Sequence, residues 1–143
     1  MKPEVGTILG LTAQKIAMGF GEHGAAFAQG TVGLIAMMMS MSAKEYDRAA
    51  DIRFTENNDM RALFAELAPT VTDAALKQEL LAAAAAKDPS LRISDLNDGN
   101  YALRRLLTRL QIHMEEHGAA GAQRRIWAVL KAMAQRRLVT LGP

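Results

Sequence analysis

His113 and His117 lie four residues apart, with Glu115 and Glu116 between them. On a helix that spacing puts both imidazoles on one face, where they can share a metal ion. Glu22 and His23, in a similar setting earlier in the chain, can supply a third and fourth ligand if the two segments pack side by side. A site of His23, His113, His117, Glu22 and Glu116 has the nitrogen and oxygen donors that suit Zn, Fe or Mn. The pattern is not the His-Glu-x-x-His of metalloproteases, nor the Glu-x-x-His of di-iron bundles. A histidine near a helix C-terminus also has a simpler use, bonding the last carbonyls and complementing the helix dipole.

Arginines form the second candidate. Arg104, Arg105, Arg124 and Arg125 stand in two double-Arg steps and can grip an anion such as a phosphate. Residues 101–143 hold eight cations against two carboxylates, a balance of +6; the whole chain totals +2, so residues 1–100 carry −4. A single-strand binder also needs exposed aromatics, and only Tyr101 and Trp127 are near. The expectation is that most of these arginines pair with Asp47, Asp51, Glu56 and Asp59, with one of each double step solvated. Nucleic acid is the lesser alternative. No catalytic activity is identifiable. Ser40, Ser42, Ser90 and Ser94 have no neighbouring histidine, and no Gly-x-Ser-x-Gly occurs. No cofactor is indicated, and whether the chain is an enzyme stays open.

These residues must be positioned by helices. Half of the chain is hydrophobic, but the content is Ala, Leu and Met rather than β-branched residues. With 143 residues the expectation is one all-α domain over 1–143, a bundle of five or six helices. There is no cysteine, so disulfides, thiolate metal sites and a Cys nucleophile are excluded. The lack of cysteine and of a secretory pattern after Met1 fits a cytoplasmic protein.

Residues 7–20 read as a first helix capped by Thr7, with Leu9, Ala13, Ile16, Ala17 and Phe20 on one face. Gly19, Gly21 and Gly24 form the turn after it. The long central helix follows. Its stripe runs through Phe27, Thr31, Leu34, Ile35, Met38, Met41, Tyr46 and Ile52. Residues 25–41 carry no charge and include Met37, Met38, Met39 and Met41. Gln29, Thr31, Ser40 and the glycines dilute this run too far for a membrane span. Being apolar all round, it is expected to be buried on every side. One chain of this size cannot bury it alone, so the reading is a homodimer meeting through Phe27, Gly30, Gly33, Leu34, Met37, Met38 and Met41. Gly30 and Gly33 would then mark a close approach of another helix backbone. A pocket for an apolar small molecule under the flexible methionines is the alternative.

Asn57-Asn58 predicts a kink or restart, because Asn competes with helix hydrogen bonding. Yet Ile52, Glu56, Met60, Leu63 and Leu67 keep one phase straight through. Thr72 is expected to cap a helix reaching Lys87, with Leu76, Leu80, Leu81 and Ala84 inward. Leu91 and Ile93 read as apolar anchors in a loop. Ser94 or Asp98 opens the next helix, which buries Leu96, Leu103, Leu106, Leu107, Leu110 and Met114 and ends at His117-Gly118. The last helix, from 120 to about 138, buries Ile126, Val129, Leu130 and Met133. Residues 22–29 and 116–123 match at seven of eight positions as Glu-His-Gly-Ala-Ala-x-Ala-Gln. This is either a duplicated corner or convergence on a good helix-helix turn.

Overall fold

The computed structural model describes residues 5–20 and 26–138, the side chains of 19–20 and 26–29 excepted. It is an all-α helical bundle of five α-helices, with no strand among the described residues. They are α1 (Val5–Phe20), α2 (Ala26–Leu67), α3 (Ala74–Ala85), α4 (Ile93–Glu116) and α5 (Ala120–Arg136), with one 3₁₀ turn at Ala68–Thr70. Two compact units divide the chain, and their boundary falls within α2 at Ala49/Ala50.

In the first unit α1 and the first half of α2 form a helical hairpin. The contact is close at Gly6, where a Cβ would stand 3.3 Å from the Ala43 carbonyl oxygen. The glycine that admits a neighbouring backbone is therefore Gly6. Gly30 and Gly33 have open space where their Cβ atoms would be, so no other described segment of this chain approaches them. Thr7 lies inside α1 rather than capping it, since the helix is already formed at Val5.

The second unit, Ala50–Leu138, has a closed core. Met60, Leu63, Phe64 and Leu67 of α2 meet Leu76 and Leu80 of α3, Leu103, Leu107, Leu110 and Met114 of α4, and Ile126 and Met133 of α5. The sets recur at three- and four-residue steps, or at seven on α5, so each helix turns one stripe inward. The inward faces expected for α4 and α5 are the ones observed. On α3, Leu76 and Leu80 are buried but Leu81 is exposed.

Helix ends follow local chemistry. Asp73, not Thr72, caps α3: its carboxylate accepts from the Ala75 and Leu76 amides at 2.8 and 3.1 Å. The Leu76 amide and then the Ala75 amide hold that carboxyl below its ordinary range. Helix α4 begins at Ile93, before both expected starts, after a turn in which Ser90 Oγ accepts from the Arg92 amide and donates to Asp95. Leu91 and Ile93 are exposed rather than anchoring, and Leu96 is the first buried residue of that segment. At the α4–α5 corner Gly118 takes φ 62°. The Ala119 amide reaches back to the Met114 carbonyl and the Gly118 amide to Glu115, which closes the helix as a Schellman motif. The matching corner at 22–25 lies outside the described residues, as do the Gly21 and Gly24 turn and the tail 139–143.

No break occurs at Asn57-Asn58, and α2 runs unbroken to Leu67. Asn57 is fully buried, and its polar groups are met by distant partners instead of by its own backbone. That removes the local competition that makes Asn a helix breaker.

Candidate functional site

Three features of the described residues combine polar chemistry with defined geometry. The first is the histidine pair. His117 Nδ1 lies 2.7 Å from the His113 carbonyl oxygen and donates to it, so His117 bonds a carbonyl of the last turn of α4. The Thr72 amide donates to His113 Nε2 at 3.3 Å, and the Thr72 hydroxyl lies 3.3 Å from that atom and 3.4 Å from His117 Nε2. An amide can only donate, so His113 Nε2 must be an acceptor and its proton sits on Nδ1. The two rings lie with centroids 4.1 Å apart, tilted by 31° to each other. Thr72, expected to cap α3, thus ties the segment before α3 to the end of α4. Glu116 borders a small hollow with Asp73, Arg109 and His113. Glu22 and His23 lie outside the described residues, and among the described residues no three His, Cys, Asp or Glu side chains gather as metal ligands would.

The second is a buried polar network. Glu56, Asn57 and Asn100 are each at most 1% exposed. Asn100 Nδ2 donates to Glu56 Oε2 at 3.1 Å and to Asn57 Oδ1 at 2.9 Å. Asn57 Nδ2 in turn donates to Asp88 Oδ1 and to the Leu96 carbonyl. Arg61 clasps Asp88 through two bonds of 2.7 and 3.0 Å, and Arg137 Nε donates to Glu56 at 2.6 Å. Burial pushes the Glu56 carboxyl up, but hydrogen bonds from Arg137 and Asn100 and the charges of Arg137 and Arg53 hold it below its ordinary value. For Asp88 the Arg61 hydrogen bonds dominate and lower it despite burial. At Gly99 a Cβ would stand 3.0 Å from Asp88 Oδ1, so any side chain there would press on the carboxylate that Arg61 clasps. The network joins α2, the 86–92 turn, α4 and the end of α5. Apart from Arg61 Nε, which is buried without a hydrogen-bond partner among the described residues, its polar atoms point at one another, so its chemistry is positional: it fixes how four segments register.

The third is the set of cations. Arg136 pairs with Asp59 and Arg137 with Glu56, both half-buried, while Arg125 pairs with Glu66 and Arg109 with Glu79 at the surface. Of the four proposed anion-binding residues, Arg125 is therefore engaged. Arg104, Arg105 and Arg124 are exposed and make no ion pair among the described residues. Of the two double steps, 124/125 has one open and one paired member, Arg125 meeting Glu66, whereas Arg104 and Arg105 are both exposed; a third step, Arg136 and Arg137, is half-buried at both positions.

Interface candidates occupy the hairpin. Leu34 (53%) and Met38 (58%) are exposed, as are Ile35, Met37, Gly30 and Gly33, and Met41 is half-buried; within the chain this stretch is not buried on every side. The Phe27 side chain lies outside the described residues. Among the described side chains of the hairpin, Ala13 and Ala36 are the buried apolar ones. No helix among the described residues is long and apolar enough to cross a membrane. No known protein family, curated protein or solved structure matches the chain.

Sequence reasoning missed Asn57, Asp88, Asn100 and Thr72. A signal existed for the network, since Glu56 falls on the same phase as Ile52, Met60 and Leu63. A carboxylate on a buried stripe demands a buried partner.

Proposed function

We propose that this protein is a helical interaction module that works as a homodimer through the apolar face of its N-terminal hairpin. The observation that carries the reading is the exposure of Leu34, Ile35, Met37 and Met38 on a stretch of α2 without a charged residue. Val5, Ile8, Leu11 and Met18 of α1 are exposed as well. Exposed apolar surface of this extent marks a contact site. Two helices touching through alanine and glycine enclose too little to stabilise themselves, and a second hairpin would supply the missing layers.

A second copy fits this face better than an unrelated partner. It has almost no charge with which to select a foreign surface, Lys15 being the cation of α1 among its described residues. A twofold contact needs only self-complementarity, which small and flexible side chains such as Gly, Ala and Met supply.

Sedimentation over a micromolar to millimolar range tests the reading. The dimer is expected for the native chain, and monomer for the double variant Leu34→Glu/Met38→Glu, with helical content elsewhere retained. A native chain that stays monomeric throughout would sink the proposal.

A further inference from the structure

We infer that the outer face of the α4–α5 hairpin is a docking surface for single-stranded nucleic acid, built on Tyr101 and Trp127 as stacking platforms and on Arg104, Arg105, Arg124 and Lys131 as phosphate contacts. Contacts on each helix fix which flank faces where. On α5, Arg125 and Arg136 reach Glu66 and Asp59 of α2, while Ile126 and Met133 are buried. Trp127 follows Ile126 by one residue, about 100° further round, on the flank away from α2. That flank is the one beside α4, against which α5 packs. On α4, Ala102, Leu106 and Arg109 border a hollow shared with Glu79, Ala82 and Ala83 of α3, and Arg105, opposite the buried Leu103 and Leu107 and one turn from Tyr101, lines its outer edge. The opposite flank, carrying Tyr101 and Arg104, is therefore the one beside α5. The two flanks meet along the hairpin and open on a common outer surface.

What stands on that surface is unusual. Tyr101 and Trp127 are 59% and 60% exposed, although large aromatics normally bury much of their area. The four cations are exposed and make no ion pair among the described residues, whereas the neighbouring Arg109, Arg125, Arg136 and Arg137 all do. The chain thus neutralises its arginines on the inner flanks and leaves these four open beside two aromatic rings. Cations that track a backbone, interleaved with rings on which bases stack, are what a sequence-tolerant single-strand binder requires. An anionic membrane would instead call for aliphatic side chains beside Trp127, but on α5 Ile126, Val129 and Leu130 turn inward. This surface lies in the second unit and does not depend on the homodimer reading.

Trp127 is the sole tryptophan, so its emission reports on the site directly. Titrating the full chain with a short oligodeoxythymidylate at low salt should give saturable quenching. The log–log salt slope should be about −3 if all four cations meet phosphates. With a dye-labelled oligonucleotide followed by anisotropy, Trp127→Leu should bind roughly tenfold or more weakly and Trp127→Phe should retain most affinity. Replacing Arg104, Arg124 and Lys131 by Gln should flatten the slope. Circular dichroism on each variant confirms the fold, and these positions are exposed enough to tolerate exchange. Three outcomes overturn the inference: no change in emission or anisotropy at low salt, unaltered affinity in Trp127→Leu, or an emission change with phosphatidylserine vesicles or polyglutamate and none with the oligonucleotide.

Discussion

Residues 5–49 and 50–138 are both built of helices, but they dispose of their apolar side chains in opposite ways. The second unit buries a continuous cluster running from Met60 to Met133, and its exposed residues mix charged side chains with scattered apolar ones. In the hairpin the apolar run is longer and purer, yet Ala13 and Ala36 are the apolar side chains that reach the interior among those described. Burial is thus decided by pattern more than by content. A stripe at three- and four-residue steps gives each helix of the second unit an inside, which its neighbours can share. Residues 30–41, apolar on all sides, present no inside to a single neighbour.

The largest expected effect breaks this contrast from the second unit. Phe64 is fully buried among side chains of α3, α4 and α5. Phe64→Ala leaves a cavity as well as losing transfer energy, and should cost about 3–5 kcal/mol. Urea denaturation followed by circular dichroism measures it. A cost under about 1 kcal/mol would mean that this core is far looser than its packing indicates.

A smaller effect tests the polar network. Glu56→Ala removes the acceptor for Arg137 and one acceptor for Asn100, which keeps its bond to Asn57. Breaking a fully buried pair is expensive, but the Arg137 side chain is about a third exposed and can turn to water. The expected loss is therefore about 2 kcal/mol. The same group sets an acid limit. Its folded-state carboxyl titrates below the ordinary 4.5 and that of Asp88 below 3.8, so the unfolded chain takes up protons first as pH falls. Their stabilisation is complete above those ordinary values and is lost as pH drops through the lower folded-state ones. The urea midpoint should fall below pH 4.5 in the native chain, and less steeply in Glu56→Ala. Equal slopes in the two proteins would show that this carboxylate does not govern the acid transition.

What was legible in the sequence follows the same division. The inward stripes of α4 and α5 were readable because periodicity is local information, and so was the corner at Gly118, where the stripe stops at a glycine able to take positive φ. The continuity of α2 through Asn57 was not. Its side chain is satisfied by Asp88 and Asn100, 31 and 43 residues away, and no window along the chain contains both sides of that exchange. Thr72 was misplaced for a related reason: it sits one residue before the true cap, and its partner histidine is 41 residues on. Among the arginines, composition announced the basic hairpin, but which cations stay open depends on the acidic residues that α2 and α3 bring alongside.

The smallest expected effect is the sharpest test of the contrast. Met38 is more than half exposed within the chain, so truncation removes little packing from the monomer. Met38→Ala should leave the urea midpoint of dilute protein within about 0.5 kcal/mol of native stability, as exposed positions usually do. The same exchange should raise the concentration at which two chains associate, because the side chain is lost from the proposed interface and not from a core. Two measurements on one variant therefore separate the regions. A midpoint that falls in dilute protein, with association unchanged, would place Met38 in an interior of the hairpin and remove the reason for a second copy. A midpoint that holds while association weakens would leave the apolar face no role other than contact between chains.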